Sequence, residues 1–125
     1  MIDWQGFMEN QQLWIEPIGN IIIARLRGVP SEEVLKQCQE RVLLLVQDTK
    51  KGRVLYDALE LLLPTVDPAI IQRDLNEALN PAIQLRSAIV VPNTRIAYLA
   101  RLAFGEGDCR IFYNDFAAAI QWLEQ

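Results

Sequence analysis

From residue 13 onward, short β-branched apolar runs alternate with longer segments of helical periodicity, and Gly, Pro, Asn, Ser or Asp stands at each junction. Side chains repeat every two residues on a strand and every 3.6 on a helix, so this alternation predicts a layered α/β fold. Leu13–Glu16 and Ile21–Arg27 read as two antiparallel strands joined by turn chemistry at Pro17-Ile18-Gly19-Asn20. Ser31 caps a helix that places Val34, Leu35, Cys38, Val42, Leu45 and Val46 on one face through about Asp48, and Lys50-Lys51-Gly52 ends it. Arg53–Asp57 is the third strand. A second helix starts at Asp67-Pro68 and runs to Asn80-Pro81. Leu85–Val91 is the fourth strand, and Asn93 or Thr94 caps a helix over Arg95–Phe104. Cys109–Tyr113 is the fifth strand, and Asn114 or Asp115 caps a last helix through Leu123. After the opening hairpin, the strict alternation implies parallel strands with right-handed crossovers. The expected architecture is a five-stranded mixed sheet: the hairpin, then β-α-β-α-β-α.

Length and composition restrict the function classes. At 125 residues, one domain spans the chain, with residues 1–12 as an arm that packs through Trp4 and Phe7. There is no histidine, which removes His-based triads, His metal sites and the usual general base at neutral pH. Sixteen acidic against twelve basic residues give a net charge of −4, which argues against a nucleic-acid partner. No apolar stretch approaches the roughly 20 residues that span a bilayer, so no integral membrane association is expected. The opening residues lack a basic segment followed by an apolar one, and Cys38 and Cys109 have no CxxC spacing; two free buried thiols in the cytoplasm are expected.

The strands carry an unusual charge. Arg25, Arg27, Arg53, Arg86 and Arg110 all fall within them. A parallel sheet buried on both faces reads as near-continuous apolar runs, so these arginines predict helices mainly on one face, with part of the other wet. The alternative is that they sit at strand ends and reach water. Arg25 lies inside its strand and resists that explanation.

The element order and several local features resemble the SpoIIAA-like branch of the STAS superfamily. The similarity lies in the hairpin ending Ile22-Ile23-Ala24-Arg25-Leu26-Arg27-Gly28, the helix start Ser31-Glu32-Glu33 and the strand Arg53-Val54-Leu55-Tyr56-Asp57. It extends to the closing Arg110–Leu123 stretch, which ends in Ala-x-x-Trp-Leu. The resemblance implies sequentially ordered strands in one sheet with helices largely on one side. The superfamily includes bacterial anti-sigma factor antagonists and the cytoplasmic tails of sulfate transporters. The antagonists carry Asp-Ser-Ser/Thr-Gly at the start of the helix after the third strand, and that serine is phosphorylated. Here the equivalent stretch is Leu63-Pro64-Thr65-Val66-Asp67-Pro68, with Thr65 as the only hydroxyl, and Asp67 already occupies the electropositive helix end. The antagonist function is therefore not carried across.

Two segments stand out as candidate binding surfaces. Ala58–Val66 is far more apolar than a surface loop and follows a parallel strand's C-terminal end, where ligands bind in open α/β sheets. It forms either a lip over a pocket or a helical turn folded back on the core. A small apolar or anionic ligand there would meet Asp57, Leu61, Leu62, Leu63 and Thr65, with Asp67, Asn93 and Thr94 at the helix starts. The helix Arg95–Phe104 is apolar nearly all round, with Tyr98, Leu99 and Leu102 opposite the stripe of Ile96, Ala97, Ala100, Ala103 and Phe104. Such a helix is buried on more than one side, either by self-association or by a wide contact within the subunit. Asp57 and Asp67 are better explained as a strand-end aspartate and a helix cap than as an acid–base pair. Gly105-Glu106-Gly107-Asp108 follows a helix, so it reads as a helix stop and not a phosphate loop. The sequence thus predicts a non-enzymatic protein, without cofactor or metal, that binds a protein partner as a homodimer. A small-ligand carrier is the alternative.

Overall fold

The computed structural model describes residues 12–29, 31–62, 85–104 and 108–125. The expected helix from Asp67 and most of the N-terminal arm lie outside them, as do Leu63, Thr65 and Asp67. The described elements are β1 (Leu13–Ile18), β2 (Ile21–Gly28), α1 (Glu32–Thr49), β3 (Arg53–Leu61), β4 (Arg86–Val91), α2 (Thr94–Phe104), β5 (Asp108–Tyr113) and α3 (Phe116–Leu123). The sheet runs β1-β2-β3-β4-β5 in space; β1 is antiparallel to β2, and every later pair is parallel. The chain is thus α/β with a five-stranded mixed sheet.

Local chemistry explains the element boundaries. The hairpin turn is tighter than expected: Pro17 and Ile18 stay in β1, and only Gly19-Asn20 make the bend. Gly19 has φ +59°, which a residue without Cβ adopts at little cost. The Ser31 Oγ accepts from the Val34 N–H at 3.1 Å and starts α1. Its C-cap is Lys50, not Gly52: Lys50 takes the left-handed conformation at φ 61°, and its N–H reaches the Val46 carbonyl at 2.9 Å. The Asn93 and Asp115 carboxamide and carboxylate oxygens cap α2 and α3, accepting from Ile96 N–H at 2.9 Å and Ala118 N–H at 3.0 Å.

The sheet separates two apolar layers. Ile22, Ala24, Leu26, Val54, Tyr56, Ala58, Ile89 and Val91 face α1 and α2, which contribute Val34, Leu35, Cys38, Val42, Val46, Ile96, Ala97 and Ala100. The opposite layer joins Ile21, Ile23, Leu55, Ala88 and Val90 to Ala119 and Leu123 of α3. Two of the three described helices therefore share one face, and α3 covers part of the other.

Strand register settles where the arginines point. Arg53 is level with Arg86, Arg110 with Ala88, and Arg25 with Asp57, and residues level with each other share a face. Arg27 follows Leu26, which packs on the α1 side. All five arginines thus lie on the α3 face. Reaching water from strand ends does not describe Arg25 or Arg86, because both have specific partners. Arg86 lies under α3: its guanidinium carbon is 3.7 Å from the Trp122 ring centroid, Nη2 donates to the Trp122 carbonyl at 2.9 Å, and Nη1 bridges both Asp108 carboxylate oxygens at 3.3–3.4 Å. One side chain therefore stacks on an indole and satisfies a helix C-terminal carbonyl, the end that attracts cations. Its Nε is buried with no hydrogen-bond partner among the described residues.

Candidate functional site

Asp57 is not at a strand end. β3 continues through Ala58 to Leu61, so Asp57 is mid-strand and level with Val90. The continuation contains a register shift opposite Arg25–Arg27, after which Arg27 pairs with Glu60. A bulge leaves a backbone N–H without its ladder partner. The Asp57 Oδ1 accepts the Leu59 N–H at 3.1 Å and satisfies it. Its Oδ2 takes the Arg25 Nε at 3.1 Å. The Asp57 side chain is only 6% exposed, while Arg25 is 42% exposed. Level with Arg25 on β1 stands Trp14, whose ring centroid is 5.7 Å from the guanidinium carbon. Trp14, Arg25 and Asp57 thus form a row across three strands, on the face α3 leaves partly open. The guanidinium is aimed by a buried carboxylate, and its two terminal nitrogens have no protein partner among the described residues.

The other residues expected at this end divide into two groups. Leu61 is strand, half-buried and packed on the main core. Leu62 is 59% exposed, and its N–H donates to the Gly28 carbonyl at 2.9 Å, which sets it beside exposed Val29. Ala58–Leu61 is therefore extended strand and not a helical turn, and residues 63–66 of that apolar segment lie outside the described residues. Leu59 shares the α3 layer with Leu55 by alternation, and the bulge turns Leu61 to the α1 side. Asn93 spends its side chain on the α2 cap, and Thr94 is exposed as the first helical residue. That helix start consequently has one amide fewer to offer an anion.

The second candidate surface is the outer side of α2. Ile96, Ala97 and Ala100 are buried against the sheet. Tyr98 is 58% exposed and Leu99 is half-buried. Arg101 Nη2 donates to the Tyr113 hydroxyl at 3.3 Å, which ties α2 to the edge strand β5. Nothing in the sequence pattern singled out Tyr113 or Arg101. The pairing of Arg25 with Asp57 was also missed, although aligning the Ile22 and Val54 runs in parallel would have brought the two level.

The reactive side chains are held inert. Burial pushes the Cys38 thiol up to about 12, partly offset by Arg41. Cys109 is only half-buried, contrary to expectation; burial and the neighbouring Asp108 charge raise it to about 11. Neither is a thiolate at neutral pH. Tyr56 is raised chiefly by burial, and its hydroxyl donates to the Gln39 Oε1 at 3.3 Å inside the core. Among the described residues no three His, Cys, Asp or Glu side chains gather to hold a metal ion, and no described helix is long and apolar enough to cross a membrane.

Compared with known proteins, the chain matches no protein-family model, and no curated protein matches it.

Proposed function

We propose that this is a non-catalytic binding or regulatory protein of the SpoIIAA/STAS kind, acting in the cytoplasm through protein–protein contact as a homodimer. The observation that carries this is the outer side of α2. Its sheet contact is already filled by Ile96, Ala97 and Ala100, yet Tyr98 and Leu99 present further apolar surface outward. Apolar surface beyond what one core uses marks an interaction site, and self-association on a two-fold axis is the commonest way to cover it. The sequential strand order, with α1 and α2 on one face, supports the superfamily assignment. Light scattering tests the proposal. The unsubstituted protein should have twice the monomer mass, and Leu99→Glu combined with Leu102→Glu should halve it while the circular dichroism spectrum is retained. An unchanged mass in that folded variant would refute the interface.

A second reading has one specific observation behind it. Arg25, steadied by Asp57 and Trp14, presents terminal N–H groups partway along β2, and Val29 and Leu62 are exposed just past the ends of β2 and β3. An anionic amphipathic ligand would place its charged head on the guanidinium and its chain on the leucine. Thermal-shift titration with a fatty acid should raise the melting temperature of the parent and not of Arg25→Ala. Equal shifts in both would reject it.

A further inference from the structure

The two edges of the sheet differ. β1 carries Pro17, which has no N–H and is a common guard against edge pairing. β5 has no proline or bulge, and among the described residues it pairs only with β4. The exposed Tyr113 stands on β5, and Arg101 links it to α2, so the Arg101 flank of α2 lies toward this same open edge.

We propose that β5 pairs antiparallel with β5 of a second copy, making one continuous ten-stranded sheet about a two-fold axis at Ile111 and setting α2 beside its counterpart. This mode of pairing rests on the homodimer proposed above. A two-fold axis normal to the sheet places some residue opposite its own copy, and opposed residues share a face. An axis at Asp108 or Arg110 would oppose like charges. An axis at Cys109 or Phe112 would pair only about half of the strand's six residues with each other. At Ile111 the pairing covers residues 109–113, and no like charges stand opposite each other. Arg110, whose described partner is its own Phe112 ring at 5.5 Å, meets the negative ring face of Phe112 of the second copy, twice by symmetry. Asp108 keeps Arg86. On the α2 side, Cys109 lies opposite Tyr113 of the copy, which covers an exposed ring.

Cysteine cross-linking reads this register directly. In a Cys109→Ser background, Ile111→Cys should form disulfide-linked dimers under mild oxidant at least tenfold faster than Arg110→Cys, whose counterpart lies two positions away. Light scattering is run on the same samples. Dimer mass with that order of cross-linking supports the proposal. Dimer mass without rapid Ile111→Cys cross-linking overturns edge pairing and leaves the homodimer standing, whereas monomer mass overturns both. Hydrogen exchange on the unsubstituted protein gives an independent readout. Outward β5 amides should gain at least tenfold protection at concentrations where the dimer forms, and no gain would overturn the pairing.

Discussion

The Arg25–Asp57 pair makes an asymmetric prediction, because the two charges are not equally buried. Asp57 is 6% exposed and Arg25 is 42% exposed. Removing the aspartate's charge leaves a guanidinium that water can reach. Removing the arginine leaves a carboxylate in the sheet that water cannot reach. A hydrogen bond to a charged group contributes about 1.5–3 kcal/mol net, and orphaning a buried charge costs more than losing the pair. Asp57→Asn keeps an oxygen for the Leu59 N–H and should cost about 1 kcal/mol. Arg25→Met keeps the aliphatic stem against Trp14 and should cost about 2–3 kcal/mol. Asp57→Ala loses both bonds and leaves the Leu59 N–H of the bulge without its acceptor, for about 3 kcal/mol. With a urea m-value of about 2 kcal/mol/M, the unfolding midpoint should fall by roughly 0.5, 1–1.5 and 1.5 M respectively. Tryptophan fluorescence and circular dichroism would follow the transition. If Asp57→Asn proves as damaging as Arg25→Met, the burial argument is wrong.

Three further outcomes follow from the geometry. Arg86→Met should cost about 1–2 kcal/mol, since losing the Trp122 stack and the carbonyl bond outweighs relief of the unpartnered Nε; an unchanged urea midpoint with unaltered Trp122 fluorescence would contradict it. Stability should be flat with respect to the thiols below about pH 9 and fall above it. Unfolded thiols release protons near 9, while Cys38 holds its proton to about 12 and Cys109 to about 11, so the unfolded state binds fewer protons in that window. The slope should reach about 1.4 kcal/mol per pH unit for each thiol, and Cys38→Ala should be shallower; identical alkaline slopes would exclude this cause. Lys50→Gly should raise stability by about 0.5–1 kcal/mol, because the left-handed cap at φ 61° disfavours a side chain; a lowered melting temperature would count against it.

Most of the architecture was legible because its signals are local. The Ser31, Asn93 and Asp115 caps need only a short polar side chain before an apolar period, and the hairpin needs only Gly19-Asn20. The arginines within strands pointed to helices mainly on one face, but that all five share the other face needed the strand register. Non-local features were not legible. Asp57 looked like a strand end because the apolar run from Ala58 reads as a separate segment, and only pairing with β2 shows a bulge inside a longer strand. The role of Arg86 depends on Trp122, which lies 36 residues away and meets it only after α3 folds across the sheet. Likewise, the partner of Asp57 is fixed by strand register, which no single segment encodes.

Because α3 follows β5, it leaves the ribosome after all five strands. Until then the layer of Ile21, Ile23, Leu55, Ala88 and Val90 has no described helix over it, while α1 and α2 can already close the opposite side. A nascent sheet with one apolar face bare invites stacking on its neighbours. The arginines distributed across that same face act as gatekeepers for this interval, since charges set among hydrophobic strands oppose intermolecular stacking. In the folded chain Arg86 fastens α3 through the Trp122 ring and carbonyl.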